Sequence, residues 1–270
     1  MIRAARLAGA LVLVVATLLG CAQPGPARND VAMATGAPQS VLWVGNSFFY
    51  YNNSMHGHVG QLSASLGDKP ALRGTSVTIS GSGLDWHDME SLLRPDGIGR
   101  YSFVGDNEIR FNPPGRQYDT VIMMDCSQCP VHPQLQKNFF ATVRKDGEIL
   151  RRHGARGVLF MSWAYKDKPE MTQQLAEQYV RAGRENGMLV IPAGLAFANA
   201  IARKPDLELY QPDKRHPTVA GTYLAANTVY ATLTRKSPVG AKYTAGLPPE
   251  TAALLQQVAW ETVQGFVKDR

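Results

Sequence analysis

Cysteine is scarce in this chain, with three in 270 residues, at positions 21, 126 and 129. Cys126-Ser127-Gln128-Cys129, extended by His132, lacks the second ligand pair that a structural zinc site needs. Also missing is any cluster of Lys and Arg interleaved with aromatics, so no nucleic acid partner is expected. The 28 basic and 22 acidic residues give a formal charge of +6, which falls to +4 without Arg3 and Arg6 of an acid-free leader. That is an ordinary mildly basic surface. Gly81-Ser82-Gly83 carries none of the remaining pattern of a dinucleotide fingerprint, and no other phosphate-binding loop is present. Repeats at solenoid periods are absent as well. No cofactor is called for.

What is present begins with a signal. Two arginines precede an apolar run at 7–19 that is too short to cross a bilayer comfortably. The run ends Leu18-Leu19-Gly20-Cys21, which resembles a bacterial lipoprotein signal (residues 1–20) with Cys21 as the lipidated new N-terminus. An ordinary signal peptide with a stray cysteine is the alternative. The resemblance implies an exported protein held to the membrane by acyl chains in the cell envelope, on the outer-membrane or periplasmic side if the host has two membranes. Residues 21–39 are rich in Ala, Pro and Gly without apolar periodicity, the composition of a flexible tether. One domain is expected over 40–270, as a monomer.

Within that domain short apolar runs alternate with helical spacing. Strands are expected at 41–44, 75–79, 120–124, 157–163 and 188–191. Helices are expected at 55–66, 135–153, 171–186, 193–203, 218–234 and 249–268. Residues 101–111 read as a β-hairpin turning at Gly105-Asp106-Asn107, outside the main sheet. Five strands separated by helices imply βαβ crossovers: a three-layer α/β/α fold with a mostly parallel sheet. Such a fold gathers its functional residues on loops at the carboxyl ends of its strands.

Gly45-Asn46-Ser47 stands at the end of the first strand. It is also an ordinary turn sequence. A serine hydroxyl becomes a useful nucleophile only when a base takes its proton, and the base needs an acid to fix its tautomer. After the last strand, Asp213 and His216 form the sequence-local Asp/His pair, bracketed by Pro212 and Pro217. Three-residue spacing lets the carboxylate curl back to Nδ1 while Nε2 faces the crevice. A polar turn capping the next helix is the plainer alternative.

Gly45-Asn46-Ser47-Phe48, the glycine loop after the second strand, and Asp213-x-x-His216-Pro217 together resemble the SGNH (GDSL-type) hydrolases, specifically a branch opening G-N-S-F. The matching segments reach from about 41 to 226. The resemblance implies a flavodoxin-like sheet, Ser47 as nucleophile, His216 as base and then acid, and Asp213 as its partner. It also implies an oxyanion hole from the Ser47 and Gly81 backbone N–H groups, with Gly83 as the fallback, and a side-chain donor after the third strand. There the chain departs from the family: in place of an asparagine it has Asp125-Cys126-Ser127-Gln128, leaving the Ser127 hydroxyl or the Gln128 amide.

Other readings stay open. Cys126 and Cys129 could be a structural disulfide, free thiols or a redox pair, which makes a thiol oxidoreductase one alternative function. A catalytically weak glycan-binding or envelope module is another, motivated by the missing asparagine. Trp86, His87, Trp163 and Tyr165 lie on loops expected at the crevice rim, where aromatics could stack on a sugar or acyl group; loop packing competes for each. His56 and His58 are expected on an exposed helical turn, and His132 and His153 on the surface. Met123, Met124, Phe160 and Met161 are expected in the core. The leading expectation is a serine esterase or deacetylase acting on a small-molecule or polysaccharide ester.

Overall fold

The computed structural model describes residues 37–266. The signal, Cys21 and all but the end of the expected tether lie outside the described residues, as do the last positions of the final expected helix. The chain runs β1 (Ser40–Gly45), α1 (Ser47–Tyr50), α2 (Met55–Ser65), β2 (Arg73–Thr78), α3 (Met89–Leu93), β3 (Tyr101–Gly105) and β4 (Glu108–Phe111). It continues with β5 (Thr120–Met123), α4 (Gln136–Arg152), β6 (Arg156–Phe160), α5 (Met171–Asn186), β7 (Leu189–Ile191), α6 (Ala193–Arg203), α7 (Val219–Thr234) and α8 (Pro249–Phe266).

Five strands form one parallel sheet in the order β2-β1-β5-β6-β7. Alternate residues of each strand face opposite sides, and the two faces carry separate cores. Val41, Trp43, Ile122, Phe160 and Ile191 pack with α2, α6, α7 and α8. Leu42, Val44, Val121, Leu159 and Val190 pack with α4 and α5. This is the expected three-layer arrangement. The chain passes from β1 to β2 on one side, then returns across β1 to β5 on the other. That reversal opens a crevice between the carboxyl ends of β1 and β5, where open α/β sheets bind their ligands.

The hairpin lies apart from this sheet, with β3 and β4 pairing only each other. Met123, Met124, Phe160 and Met161 are fully buried. Two expectations need correction. His58 is buried rather than exposed, its Nε2 against the Asn52 carbonyl at 2.6 Å and its Nδ1 against the Tyr243 hydroxyl at 2.8 Å. The strand at 157–163 ends at Phe160: the Met161 N–H still donates to the Ile191 carbonyl of β7, but the Met161 carbonyl accepts from the Gly194 N–H in the first turn of α6.

Candidate active site

Ser47 leaves β1 at a sharp break. Asn46 has an extended backbone and caps α1, its Oδ1 accepting from the Phe48 N–H at 3.3 Å. As the first residue of that helix, Ser47 has no carbonyl one turn earlier to receive its own N–H. The other end of the Asn46 amide is engaged as well, with Nδ2 donating to the Ser82 carbonyl at 3.0 Å and the Asp125 carbonyl at 3.2 Å. One buried side chain thereby ties together the loops after β1, β2 and β5.

His216 arrives from the other end of the chain. Its turn is closed by the Gln211 N–H on the His216 carbonyl at 2.7 Å and the Thr218 N–H on the Leu209 carbonyl at 3.0 Å. Lys214 takes a left-handed conformation at its centre, φ 64°, and its carbonyl accepts from the Lys166 N–H of the loop after β6. The imidazole Nε2 lies 2.8 Å from Ser47 Oγ, and Nδ1 lies 2.5 Å from Asp213 Oδ2. Asp213 Oδ1 accepts from the backbone N–H groups of Arg215 and His216, both at 2.9 Å. Burial works against ionisation of this carboxyl, but the His216 and backbone hydrogen bonds outweigh it and lower its pKa to about 2. An ionised Asp213 can only accept, so Nδ1 donates to it and Nε2 is left for the Ser47 hydroxyl.

Three residues that sequence reasoning passes over hold this geometry. Tyr51 stacks on the His216 ring at 4.2 Å between centroids and 9° between planes, while Phe48 meets it edge-on at 5.5 Å. Asn52 donates to the Pro217 carbonyl at 2.9 Å and to Thr222 Oγ1 at 2.8 Å, clamping the histidine turn to the serine's own segment. Asn46 is the third. Tyr51 and Asn52 lie three and four residues after the G-N-S-F motif, but their partners lie more than 160 residues away, and no local pattern points to them.

The remaining expected site residues divide. Gly81 sits in the turn after β2 with φ 69°, exposed, next to the Ser82 carbonyl that Asn46 holds. Gly83 is extended, and a Cβ there would meet Asp85 and Asp125 carboxylate oxygens at 2.5 and 3.1 Å. Its bareness lets Asp125 Oδ1 reach the Leu84 N–H at 2.8 Å. The Ser127 hydroxyl lies 2.7 Å from the Tyr165 hydroxyl, so it comes to the crevice already paired. Trp86 is 61% exposed on the loop after β2, whereas Trp163 is 0% exposed. Trp163 stacks between Phe48 at 4.7 Å and Phe197 at 4.2 Å, with its N–H on the Arg215 carbonyl. It is therefore a wall behind the Asp213–His216 turn and not a rim residue. His87 is also buried, at 3.1 Å from Ser82 Oγ, and Tyr165 is buried beneath the Arg215 guanidinium.

Cys126 and Cys129 form a disulfide with a Cα–Cα distance of 5.2 Å. Asp125, Cys126 and Cys129 converge closely, but both sulfurs are committed to each other rather than to a metal. Asp125 itself is buried, and burial raises its pKa to about 6.

No protein-family model matches the sequence, and no curated protein does either. Solved structures do. A DUF4886 family protein from Bacteroides uniformis superposes with a TM-score of 0.60 at 18% identity, over 83% of this chain and 94% of that one. A candidate SGNH hydrolase from Slackia heliotrinireducens gives 0.54 at 20% identity, over 72% and 98%. A member of the lipolytic G-D-S-L family from Veillonella parvula gives 0.50 at 12% identity, over 73% and 100%. The chain thus has the fold of the SGNH (GDSL-type) hydrolases.

Proposed function

We propose that this protein is a serine esterase working by acyl-enzyme formation and hydrolysis. The observation that carries the reading is the continuous line from Asp213 through His216 to the Ser47 hydroxyl, at 2.5 and 2.8 Å. In the first half-reaction Ser47 Oγ attacks the ester carbonyl as its proton passes to His216 Nε2. Asp213 stabilises the imidazolium through Nδ1, and His216 then protonates the departing alcohol. In the second half-reaction His216 draws a proton from water, which attacks the acyl-serine; the acyl–Oγ bond then breaks, His216 Nε2 returns the proton to Ser47 Oγ, and the carboxylic acid departs. The Ser47 and Gly81 backbone N–H groups supply the oxyanion donors, each worth about 3 kcal/mol where charge develops. Ser127, paired with Tyr165, is the third donor and takes the place of the asparagine that this fold usually offers. Trp86, exposed on the loop after β2, is the residue that meets the sugar or alcohol portion of the substrate.

The natural setting we infer is the cell envelope, with the chain anchored by lipid on Cys21 and acting on a small-molecule or polysaccharide ester there. The leader ending at Cys21 supports this, and the Cys126–Cys129 disulfide fits an oxidising compartment. Hydrolysis of p-nitrophenyl acetate tests the chemistry. Ser47→Ala and His216→Ala should each lower kcat/KM by at least about a thousandfold. Unchanged turnover in either variant would overturn the assignment.

A further inference from the structure

The β3–β4 ribbon presents an apolar face that the described residues leave exposed. Tyr101 pairs with Phe111 and Phe103 with Ile109, so these four side chains share one face. Phe103 is 74% exposed and Phe111 71%, with Tyr101 and Ile109 also open. Tyr101 makes edge-on contacts with Phe103 and Phe111, joining them into one patch. A contiguous apolar patch on an excursion from the fold marks a surface with an occupant.

The position of the ribbon's root says what the occupant is. Arg73, the first residue of β2, donates to Ser102 Oγ at 3.3 Å, and Arg73 pairs in the sheet with Ser40. Gln39, Ser40, Arg73, Ser102 and Asn112 line one depression. The chain therefore enters the domain beside the ribbon. Cys21 precedes Gln39 by 18 residues, at most about 60 Å of extended chain. A lipid anchor at Cys21 would hold the ribbon within that radius of a bilayer, a high effective concentration for a weak surface contact.

We propose that the aromatic face of the ribbon rests on the lipid surface to which the chain is anchored; this rests on the anchor reading given above. Phenylalanine and tyrosine suit the boundary between headgroups and acyl chains. Asp106 and Glu108 sit at the turn, so the ribbon lies flat, with its acids in the headgroup layer, rather than entering tip first. Ser40 and Arg73 stand at the amino ends of their strands and Ser47 beyond a carboxyl end. This contact therefore turns the catalytic crevice away from the bilayer, toward an ester in the surrounding envelope.

The test uses the full lipidated chain in vesicles of phosphatidylcholine and phosphatidylglycerol with brominated acyl chains. Phe103→Trp should add fluorescence that is blue-shifted and quenched at least twofold, after subtraction of the wild-type signal. Ile79→Trp, exposed beyond the carboxyl end of β2, should add fluorescence that the lipid leaves unquenched. Protein that pellets with the vesicles while the Phe103→Trp signal stays unquenched overturns the ribbon contact and leaves the anchor standing. Protein that stays in the supernatant overturns the anchor and the tethered contact together. A shift of the Phe103→Trp signal on adding acetylated polysaccharide, without one in vesicles, assigns the face to glycan and overturns the proposal.

Discussion

His216 is held on three sides: by Asp213 at Nδ1, by the Tyr51 ring on its face and by Phe48 at its edge. The Tyr51 face also lies where positive charge develops as the ring takes the serine proton, and an aromatic face attracts a cation. Aromatic pairs of this kind are worth about 0.5–1.5 kcal/mol beyond burial. Tyr51→Leu should therefore lower kcat for p-nitrophenyl acetate by about three- to tenfold, with KM little changed, while Tyr51→Phe keeps most of the rate. A KM effect without a kcat effect would place Tyr51 in substrate binding instead. Ser47, Asp213 and His216 are legible in the sequence because each sits in a short motif whose chemistry demands those residue types. Tyr51 and Asn52 are not, because they act on a ring and a backbone carbonyl brought near only by the fold; Asn46 stands in the motif, but the Ser82 and Asp125 carbonyls it holds are likewise brought near only by the fold. The rim reading of Trp163 and His87 fails for a related reason: a loop position in the sequence does not say which side chain the loop turns inward.

At the scale of elements, the crevice is three loops joined by one amide. Removing the Asn46 side chain strands the buried Ser82 and Asp125 carbonyls and uncaps α1, at a cost of about 1–3 kcal/mol for unmet partners. Asn46→Ala should lower Tm by several degrees and lower esterase activity with it, measured by thermal unfolding and turnover on the same sample. Loss of neither would show that the loops hold each other without it. The five parallel strands and the long helices are readable from apolar runs and helical spacing, and α5 and α6 begin and end at the expected residues. The four-residue α1 and five-residue α3 are not, since neither is long enough to show a period. The sheet order is likewise out of reach of periodicity. β2 is only half-buried because it is an edge strand, and its neighbours are set by the crossover and not by its own residues.

Across the whole molecule, two carboxyls are buried behind the site. Burial raises Asp125 to about 6 and Asp146 to about 7, and Asp146 Oδ2 has no hydrogen-bond partner among the described residues. Both folded-state values lie above the unfolded value, so the native state holds extra protons between about pH 4 and 7. Their contribution to stability is thus greatest below that window and falls as pH rises through it. Burial lowers His56 and His87, which acts in the opposite direction; comparison with a variant removes that common background. Asp146→Asn should raise Tm at pH 8, on the order of 5 °C, and change it little at pH 5. An equal shift at both pH values would show that the carboxyl does not titrate as described.

The catalytic assignment rests on a serine just beyond the first strand and a histidine from the loop before α7 acting as one unit. Mass-spectrometric mapping of a fluorophosphonate adduct tests that most directly. The adduct should fall on Ser47 in the wild type, be absent from Ser47→Ala, and form at least about a hundredfold more slowly in His216→Ala. Equal labelling of all three proteins, or an adduct on another residue, would contradict the account.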